Sequence, residues 1–205
     1  LGFHGFTGAA CDFDILLSRW QGDCRFVAPN LPGHGSELKA KYRNAPGWIV
    51  GLGDFANATI EGEVTVIGYS LGARLALHFA LMYPERVQAL ILIGGTAGIE
   101  DELDRQQRRA SDEDLASWIE HNGVAAFRRR WRETPIIATQ ASIPSPYGEA
   151  IQERKQRLTS GGLASALRTV GPGTIESVWN RLGEIHMPTL VVSGEKDIKY
   201  CRIAH

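Results

Sequence analysis

The sequence predicts an α/β fold, with a mostly parallel, doubly wound sheet and a helical insertion. Three observations support this class. Segments typical of strands alternate with segments typical of helices over residues 1–97. A Gly-Tyr-Ser-Leu-Gly segment at residues 68–72 joins one of these strands to one of these helices. Residues 98–182 then carry helical patterns and no convincing strand.

Short apolar runs predict the strands in order along the chain. The chain begins within a strand, and residues 25–28 form the next short one. Residues 64–67 are the strand before the Gly-Tyr-Ser-Leu-Gly segment. Residues 87–93 are nearly all apolar, which is typical of a parallel strand that is covered on both faces. Residues 189–193 are the last predicted strand.

The serine at position 70 has the surroundings of a nucleophile. Residues 68–72 match the G-x-S-x-G nucleophile elbow, in which a sharp turn between strand and helix exposes the serine hydroxyl. The helix that follows is predicted over residues 71–83 and stops at Pro84. The alternative is a serine in an ordinary tight turn. The elbow predicts a strained backbone at Ser70.

Two glycine-rich loops support the same interpretation. A His-Gly-Phe-Thr-Gly loop at residues 4–8 follows the first strand, where α/β-hydrolases place one oxyanion-hole amide, here that of Phe6. Leu71 would supply the second amide. Residues 30–36, Asn-Leu-Pro-Gly-His-Gly-Ser, resemble another loop of this superfamily. His4 and His34 are predicted to shape these loops, and a catalytic role for His34 is the alternative. Together these motifs predict the α/β-hydrolase fold.

The insertion is predicted to be a cap over the active site. The core would comprise residues 1–97 and 183–205, and the helical cap residues 98–182. Ser111 with Asp114 predicts a helix N-terminus within the cap. The cap contains eleven arginines, one lysine and twelve acidic residues. Most of these arginines are expected to pair with neighbouring acids, and two or three to meet a ligand.

Composition limits the partners. The chain has 205 residues, 43% of them hydrophobic, and a net charge of −1, which argues against nucleic acid or an anionic membrane as a partner. The three cysteines show no C-x-x-C spacing, so reduced thiols and no zinc site are expected. No long apolar run or signal peptide is present, which predicts a cytoplasmic protein. No motif implies a metal or an organic cofactor, and the oligomeric state stays open.

Arg74 narrows the function. It lies four residues after Ser70, in the first turn of the predicted helix, where a shielded guanidinium needs an anionic partner. A carboxylate of the substrate is the preferred partner because this position borders the active site. An internal carboxylate is the alternative.

The chain resembles one particular enzyme family. Residues 68–76, with the loop at residues 4–8, look like those of 2-succinyl-6-hydroxy-2,4-cyclohexadiene-1-carboxylate synthase of menaquinone biosynthesis. Residues 107–112, 162–168 and 194–200 are similar as well. The resemblance implies a lyase that removes pyruvate from 2-succinyl-5-enolpyruvyl-6-hydroxy-3-cyclohexene-1-carboxylate. A small polycarboxylate would then be the substrate, which explains arginines in a hydrolase-like site.

The resemblance also assigns roles to residues. Ser70 and Asp197 would form the catalytic group together with a histidine, and Phe6 and Leu71 the oxyanion hole. The substrate would be bound by residues of the elbow, its helix and the cap, namely Tyr69, Arg74, Arg108, Trp131 and Arg157.

The catalytic histidine has no match in the sequence. It should follow Asp197 by a couple of dozen residues, and His205 is too close. The chain also lacks an initiating Met, so we expect it to be truncated at both ends and inactive as it stands. Two alternatives remain open: a cofactor-free carboxylic-ester hydrolase, and a non-catalytic binding protein of the same fold.

Overall fold

The structure is a computed structural model that describes residues 1–35, 44–138, 148–149 and 157–205. Strands and helices alternate in its first half, and helices prevail in the second. This arrangement confirms the predicted α/β class.

A four-stranded parallel sheet forms the centre of the fold. Its strands are β1 (Gly2–Phe3), β2 (Val64–Tyr69), β3 (Val87–Ile93) and β4 (Thr189–Val192). They lie side by side in chain order, and each pairs with the next in parallel. Parallel neighbours cannot be joined by hairpins, so the chain crosses over through helices between them.

The register of the strands brings their carboxyl ends to one edge of the sheet. Phe3 lies opposite Gly68, and Tyr69 lies opposite Ile93. The loops that follow β1, β2 and β3 therefore leave the sheet next to one another. In open α/β sheets this edge is the usual place for a ligand site.

The helices of the first half pack against this sheet. They are α1 (Asp14–Leu17), α2 (Ala45–Thr59) and α3 (Leu71–Met82). The Asn44 side chain accepts a hydrogen bond from the backbone N–H of Gly47 and so caps α2. Nearly every residue of α3 is buried, because this helix is covered by the sheet on one side and by α2 on another.

Between β3 and β4, the regular elements that the structure describes are all helices, joined by loops and turns. The α-helices among them are α4 (Glu102–Arg132), α5 (Pro135–Ala138) and α6 (Ser160–Val170). Gly123 interrupts α4 with φ 81° and ψ 164°, so α4 is two helical segments joined at a kink. A small apolar core of its own holds α4 against α6. This agrees with a helical insertion, while its limits at residues 98 and 182 stay predictions.

Two local predictions were wrong. Residues 25–28 form no strand, because the two-residue β1 offers them a single ladder bond, from Gly2 N–H to the Val27 carbonyl at 2.9 Å. Ser111 does not begin a helix. The helix starts after Asp101, whose side chain accepts from the backbone N–H of Asp104, and Ser111 bonds back to the Gln107 carbonyl, as serines within helices do.

The last elements are a 3₁₀ helix at Trp179–Glu184, β4, and α7 (Ile198–Ala204). The side chains of β4 are exposed on both faces of the strand. Among the described residues, no helix has both the length and the apolar character that crossing a membrane requires.

Candidate active site

Ser70 sits on a strained turn between β2 and α3. Its φ is 54° and its ψ −106°, a combination that residues other than glycine rarely adopt. The turn is held by a 2.8 Å hydrogen bond from Ser70 N–H to the Ile93 carbonyl. The backbone strain predicted for the elbow is confirmed. The Ser70 side chain is half-buried at the carboxyl edge of the sheet.

Glycines on both sides of Ser70 make the turn possible. A Cβ at Gly72 would lie 1.9 Å from the Phe3 carbonyl oxygen, and one at Gly68 would lie 2.3 Å from the Gly72 oxygen. Either side chain would collide with backbone, so the elbow can approach β1 closely only with glycine at these places.

His4 fixes the loop that follows β1. It is 1% exposed, and its Nε2 accepts a hydrogen bond from Leu31 N–H at 2.9 Å. The proton therefore resides on Nδ1, which donates to the Gly5 carbonyl at 2.8 Å. Burial lowers the His4 pKa to about 4, so the ring stays neutral near pH 7. His4 is structural, as predicted.

His34 lies beside His4 and is equally buried. Its ring contacts those of His4 and Phe6 edge to face, with centroids 5.2 and 5.6 Å apart. Its Nδ1 bonds the Pro32 carbonyl at 3.0 Å. Burial first, and then the neighbouring His4, lowers the His34 pKa to about 3. A neutral ring enclosed by these loops favours the predicted structural role over the catalytic alternative.

Aromatic side chains connect the loop at residues 4–8 with the helical insertion. Phe6 packs edge to face on Trp131 at 5.7 Å and on Phe127 at 6.1 Å between centroids. Phe127 is 1% exposed and Trp131 is half-buried. Trp131 is thus brought next to the loop that carries Phe6, which agrees with its predicted position near the site.

Arg74 is buried one turn beyond Ser70. It is 6% exposed, and it forms no ion pair or side-chain hydrogen bond with any residue that the structure describes. Burial lowers its pKa to about 10. Within the described part of the chain, the internal carboxylate that was the alternative partner is therefore not found.

A second arginine approaches Arg74 from α4. Arg108 donates through Nε to Asp112 at 2.9 Å, and its charge lowers the Arg74 pKa while that of Asp112 raises it. The two arginines are therefore close enough to interact. The Arg108 side chain is 42% exposed, whereas that of Asp112 is 4% exposed.

Two other cap arginines pair with acids on the surface. Arg168 bridges α6 to α4 through Glu113 and Glu120, with contacts of 2.7 Å to each. Arg181 pairs with Glu184 at 2.7 Å. Arg157 is exposed, and a Cβ at Gly35 would lie 3.4 Å from its Cβ.

Tyr69 and Asp197 meet at the same edge of the sheet. Tyr69 is 45% exposed. Its ring packs against the backbone of Gly5, so that a Cβ at Gly5 would lie only 2.8 Å from Tyr69 Cδ1. Burial, and after it the charge of Asp197, raises the Tyr69 pKa. Asp197 begins α7, and its Oδ1 accepts from Tyr200 N–H at 3.1 Å. The predicted acid is thus near the elbow.

Two residues of this site were missed by sequence reasoning. Asp112 is a buried carboxylate whose only signal is its i, i+4 spacing from Arg108. Tyr200 interacts electrostatically with both Arg74 and Tyr69 from the first turn of α7. The described residues contain no group of three side chains placed to hold a metal ion.

The parallel sheet, the strained Ser70 turn and the loop at residues 4–8 define an α/β-hydrolase. Residues 1–199 match the α/β hydrolase fold family, and the chain belongs to it. The protein is 34% identical over 203 residues to a Bacillus subtilis protein provisionally named 2-succinyl-6-hydroxy-2,4-cyclohexadiene-1-carboxylate synthase. That alignment covers 98% of this chain and 74% of the relative.

Two further comparisons agree. The synthase of that name from Klebsiella pneumoniae (strain MGH 78578) is 27% identical over 98% of this chain and 78% of the relative. The solved structure of MenH from S. aureus superposes with a TM-score of 0.91 and 27% identity, over 99% of this chain and 77% of that one. Within the α/β-hydrolases, the chain belongs to the family of these synthases.

Proposed function

We propose that this protein is a carbon–oxygen lyase that eliminates pyruvate from 2-succinyl-5-enolpyruvyl-6-hydroxy-3-cyclohexene-1-carboxylate. The product is 2-succinyl-6-hydroxy-2,4-cyclohexadiene-1-carboxylate, an intermediate of menaquinone biosynthesis. Family membership supports the reaction. One observation of this molecule carries the proposal: a buried arginine without an ion pair among the described residues, one turn from Ser70.

The reaction moves a proton and breaks one bond. A base removes the proton from the ring carbon that bears the succinyl ketone. The electrons form double bonds at ring positions 2 and 4, and the C–O bond to the enolpyruvyl group breaks. The departing enolpyruvate takes up a proton to become pyruvate. No acyl group is transferred, so no covalent intermediate on Ser70 is needed.

Ser70, polarised by a histidine and Asp197, is the proposed base. The strained turn supports this role because it presents a half-buried hydroxyl at the edge of the sheet. His4 and His34 do not supply the histidine, since both rings are enclosed and have strongly lowered pKa values. His78 is no better placed, because its Nε2 meets the Glu176 carbonyl at 3.2 Å.

Backbone amides stabilise the negative charge that proton removal creates. The proposed donors are the N–H groups of Phe6 and Leu71, and the charge develops on the ketone oxygen. Their placement is supported by the register of β1 and β2, which brings the two loops together. Phe6 is held by aromatic contacts to the insertion, so its backbone is restrained before substrate binds.

Carboxylates of the substrate are recognised by arginine. Arg74 and Arg108 form the proposed centre of this recognition, with Tyr69 and Trp131 packing against the ring. Arg157 would contribute from the outer edge of the site. Arginine suits this role because its planar fork binds a carboxylate through two hydrogen bonds. The substrate is thus a small polycarboxylate, and its charge, which opposes passage through a bilayer, supports a cytoplasmic location.

The test compares two activities of the full-length protein that the gene encodes. Pyruvate release from the enolpyruvyl substrate is followed with a lactate dehydrogenase coupled assay, and ester hydrolysis with p-nitrophenyl acetate. We expect pyruvate release with a kcat/KM that exceeds that of ester hydrolysis by several orders of magnitude. Ester hydrolysis without pyruvate release would assign the protein to the carboxylesterases instead.

A further inference from the structure

A buried carboxylate of the insertion has no part in the proposed chemistry. Asp112 lies on α4 and is 3% exposed, which is unusual for an aspartate. It accepts a hydrogen bond from Arg108 Nε at 2.9 Å and one from Gly173 N–H at 3.3 Å. A buried carboxylate with two fixed donors has a single defined orientation, so it can fix the side chain that it binds.

The chain is shaped to bury this carboxylate. The turn after α6 passes so close to α4 that a Cβ at Gly171 would lie 2.8 Å from Asp112 Oδ2. A Cβ at Gly173 would lie 2.3 Å from the backbone nitrogen of Arg109. Only glycine allows this approach, which covers Asp112 and keeps water from competing for its oxygens.

Asp112 occupies only one side of the Arg108 guanidinium. The bond uses Nε, and the structure records no partner for Nη1 and Nη2 among the residues that it describes. A guanidinium has two faces for bidentate binding, one of which consists of the two Nη groups. That end remains available to bind a carboxylate, and the side chain is 42% exposed, so a ligand can reach it.

Asp112 also balances charge within the site. Two guanidinium groups that approach each other repel. Burial is the main cause of the lowered Arg74 pKa, and the charge of Arg108 lowers that pKa further. The Asp112 carboxylate opposes this repulsion and leaves one net positive charge on the three groups. Without the Asp112 carboxylate, the Arg108 guanidinium would have a lower electrostatic energy in solvent, away from Arg74.

We propose that Asp112 is a positioning residue, which holds Arg108 so that its Nη end faces the carboxylate bound by Arg74. The inference rests on the proposed function, because it needs a substrate with carboxylates. Asp112 does not touch the substrate itself. It acts on binding through Arg108, and therefore on KM far more than on kcat.

The first test is Asp112→Asn in the full-length protein. Asparagine keeps the size and one acceptor oxygen, but it removes the charge and turns an N–H₂ group toward Gly173 N–H. We expect KM for the enolpyruvyl substrate to rise about tenfold, the scale of one charge-assisted hydrogen bond, with kcat changed less than about threefold. The matched control is Glu113→Gln, which removes the next carboxylate of α4 from its exposed pair with Arg168 and should leave KM unchanged.

A double-mutant cycle separates positioning from a general effect on the fold. Arg108→Ala should raise KM, and adding Asp112→Asn to it should raise KM no further. An Asp112→Asn variant with KM within twofold of the wild type, or one that raises KM equally in the Arg108→Ala background, overturns the inference. If Asp112→Asn does not fold, Arg108→Lys is the alternative test. A lysine ammonium cannot bind Asp112 and a substrate carboxylate at the same time in the way that the two ends of a guanidinium can. A wild-type KM in Arg108→Lys therefore also overturns the inference.

A binding measurement distinguishes failure of this inference from failure of the proposed function. If the wild type releases no pyruvate, the proposed function fails. The same variants are then compared by calorimetric titration with succinate as a dicarboxylate probe. Succinate binding that weakens about tenfold in both Asp112→Asn and Arg108→Ala supports the positioning role. Equal binding by all the proteins refutes it.

Discussion

Replacing Arg74 by methionine should make the protein more stable and much less active. The side chain is buried and charged, yet the described residues offer it no ion pair and its Nε has no hydrogen-bond partner. Its pKa falls from 12.5 to about 10, which corresponds to about 3 kcal/mol of preference for water over the buried site. At pH 7 arginine is charged in both the folded and the unfolded state, so this whole cost is present.

Methionine recovers part of that cost and keeps most of the apolar contacts. We expect Arg74→Met to raise the free energy of unfolding by about 1–2 kcal/mol. The same change removes the proposed carboxylate ligand, so kcat/KM should fall by about 2–4 kcal/mol, or about 30- to 1000-fold. Urea unfolding followed by circular dichroism measures the first effect, and the pyruvate assay the second.

Arg86 provides a matched control. Its Nε is also buried without a partner, but its other nitrogens donate to Asn57 Oδ1 at 2.6 Å and to the Ile60 carbonyl at 3.0 Å. Arg86→Met should therefore lower stability and leave kcat/KM unchanged. The reasoning is refuted if the free energy of unfolding of Arg74→Met is about 2 kcal/mol lower than that of the wild type, because Arg74 would then have a structural partner.

The enclosed histidines and the elbow glycine yield two further predictions. The folded-state pKa values of His4 and His34 lie near 4 and 3, below the ordinary 6.5. At a pH between the folded-state value and 6.5, the unfolded state therefore binds more protons than the folded state. Stability should therefore fall as the pH drops through this window, by about 2 kcal/mol for each ring at pH 5. Imidazole NMR signals that titrate near pH 6.5 for these two residues would contradict this. Gly72→Ala should destabilise by about 3 kcal/mol or more, because its Cβ would meet the Phe3 carbonyl. As a control, an alanine Cβ at Gly161 in α6 would meet nothing within 4 Å, so Gly161→Ala should be neutral or slightly stabilising; urea unfolding followed by circular dichroism measures both variants.

The elements around Ser70 could be predicted because local sequence determines them. The apolar run of β3 is found at the predicted residues, Val87–Ile93, and α3 ends at Met82, next to the predicted end before Pro84. The strain at Ser70 followed from the G-x-S-x-G spacing between a predicted strand and a predicted helix. In these places the hydrophobic pattern, the turn residues and the helix breaker all agree, and tertiary contacts only reinforce them.

The remaining features depend on partners that are distant in sequence. Residues 25–28 have a strand-like composition, but β1 is too short to pair with them. Ser111 carries an N-cap signal that fails because Asp101 has already begun the helix. The burial of Asp112 depends on a turn more than sixty residues away, and no local pattern predicts it.

The central claim is a lyase reaction without an acyl-enzyme, and intact-protein mass spectrometry during turnover tests it most directly. The full-length protein is mixed with the enolpyruvyl substrate, and pyruvate and protein mass are measured over the same time course. The account predicts steady pyruvate release with only the unmodified protein mass, and loss of most of that rate in Ser70→Ala. A covalent adduct on Ser70 that forms and decays with turnover, or a Ser70→Ala variant as fast as the wild type, would contradict it.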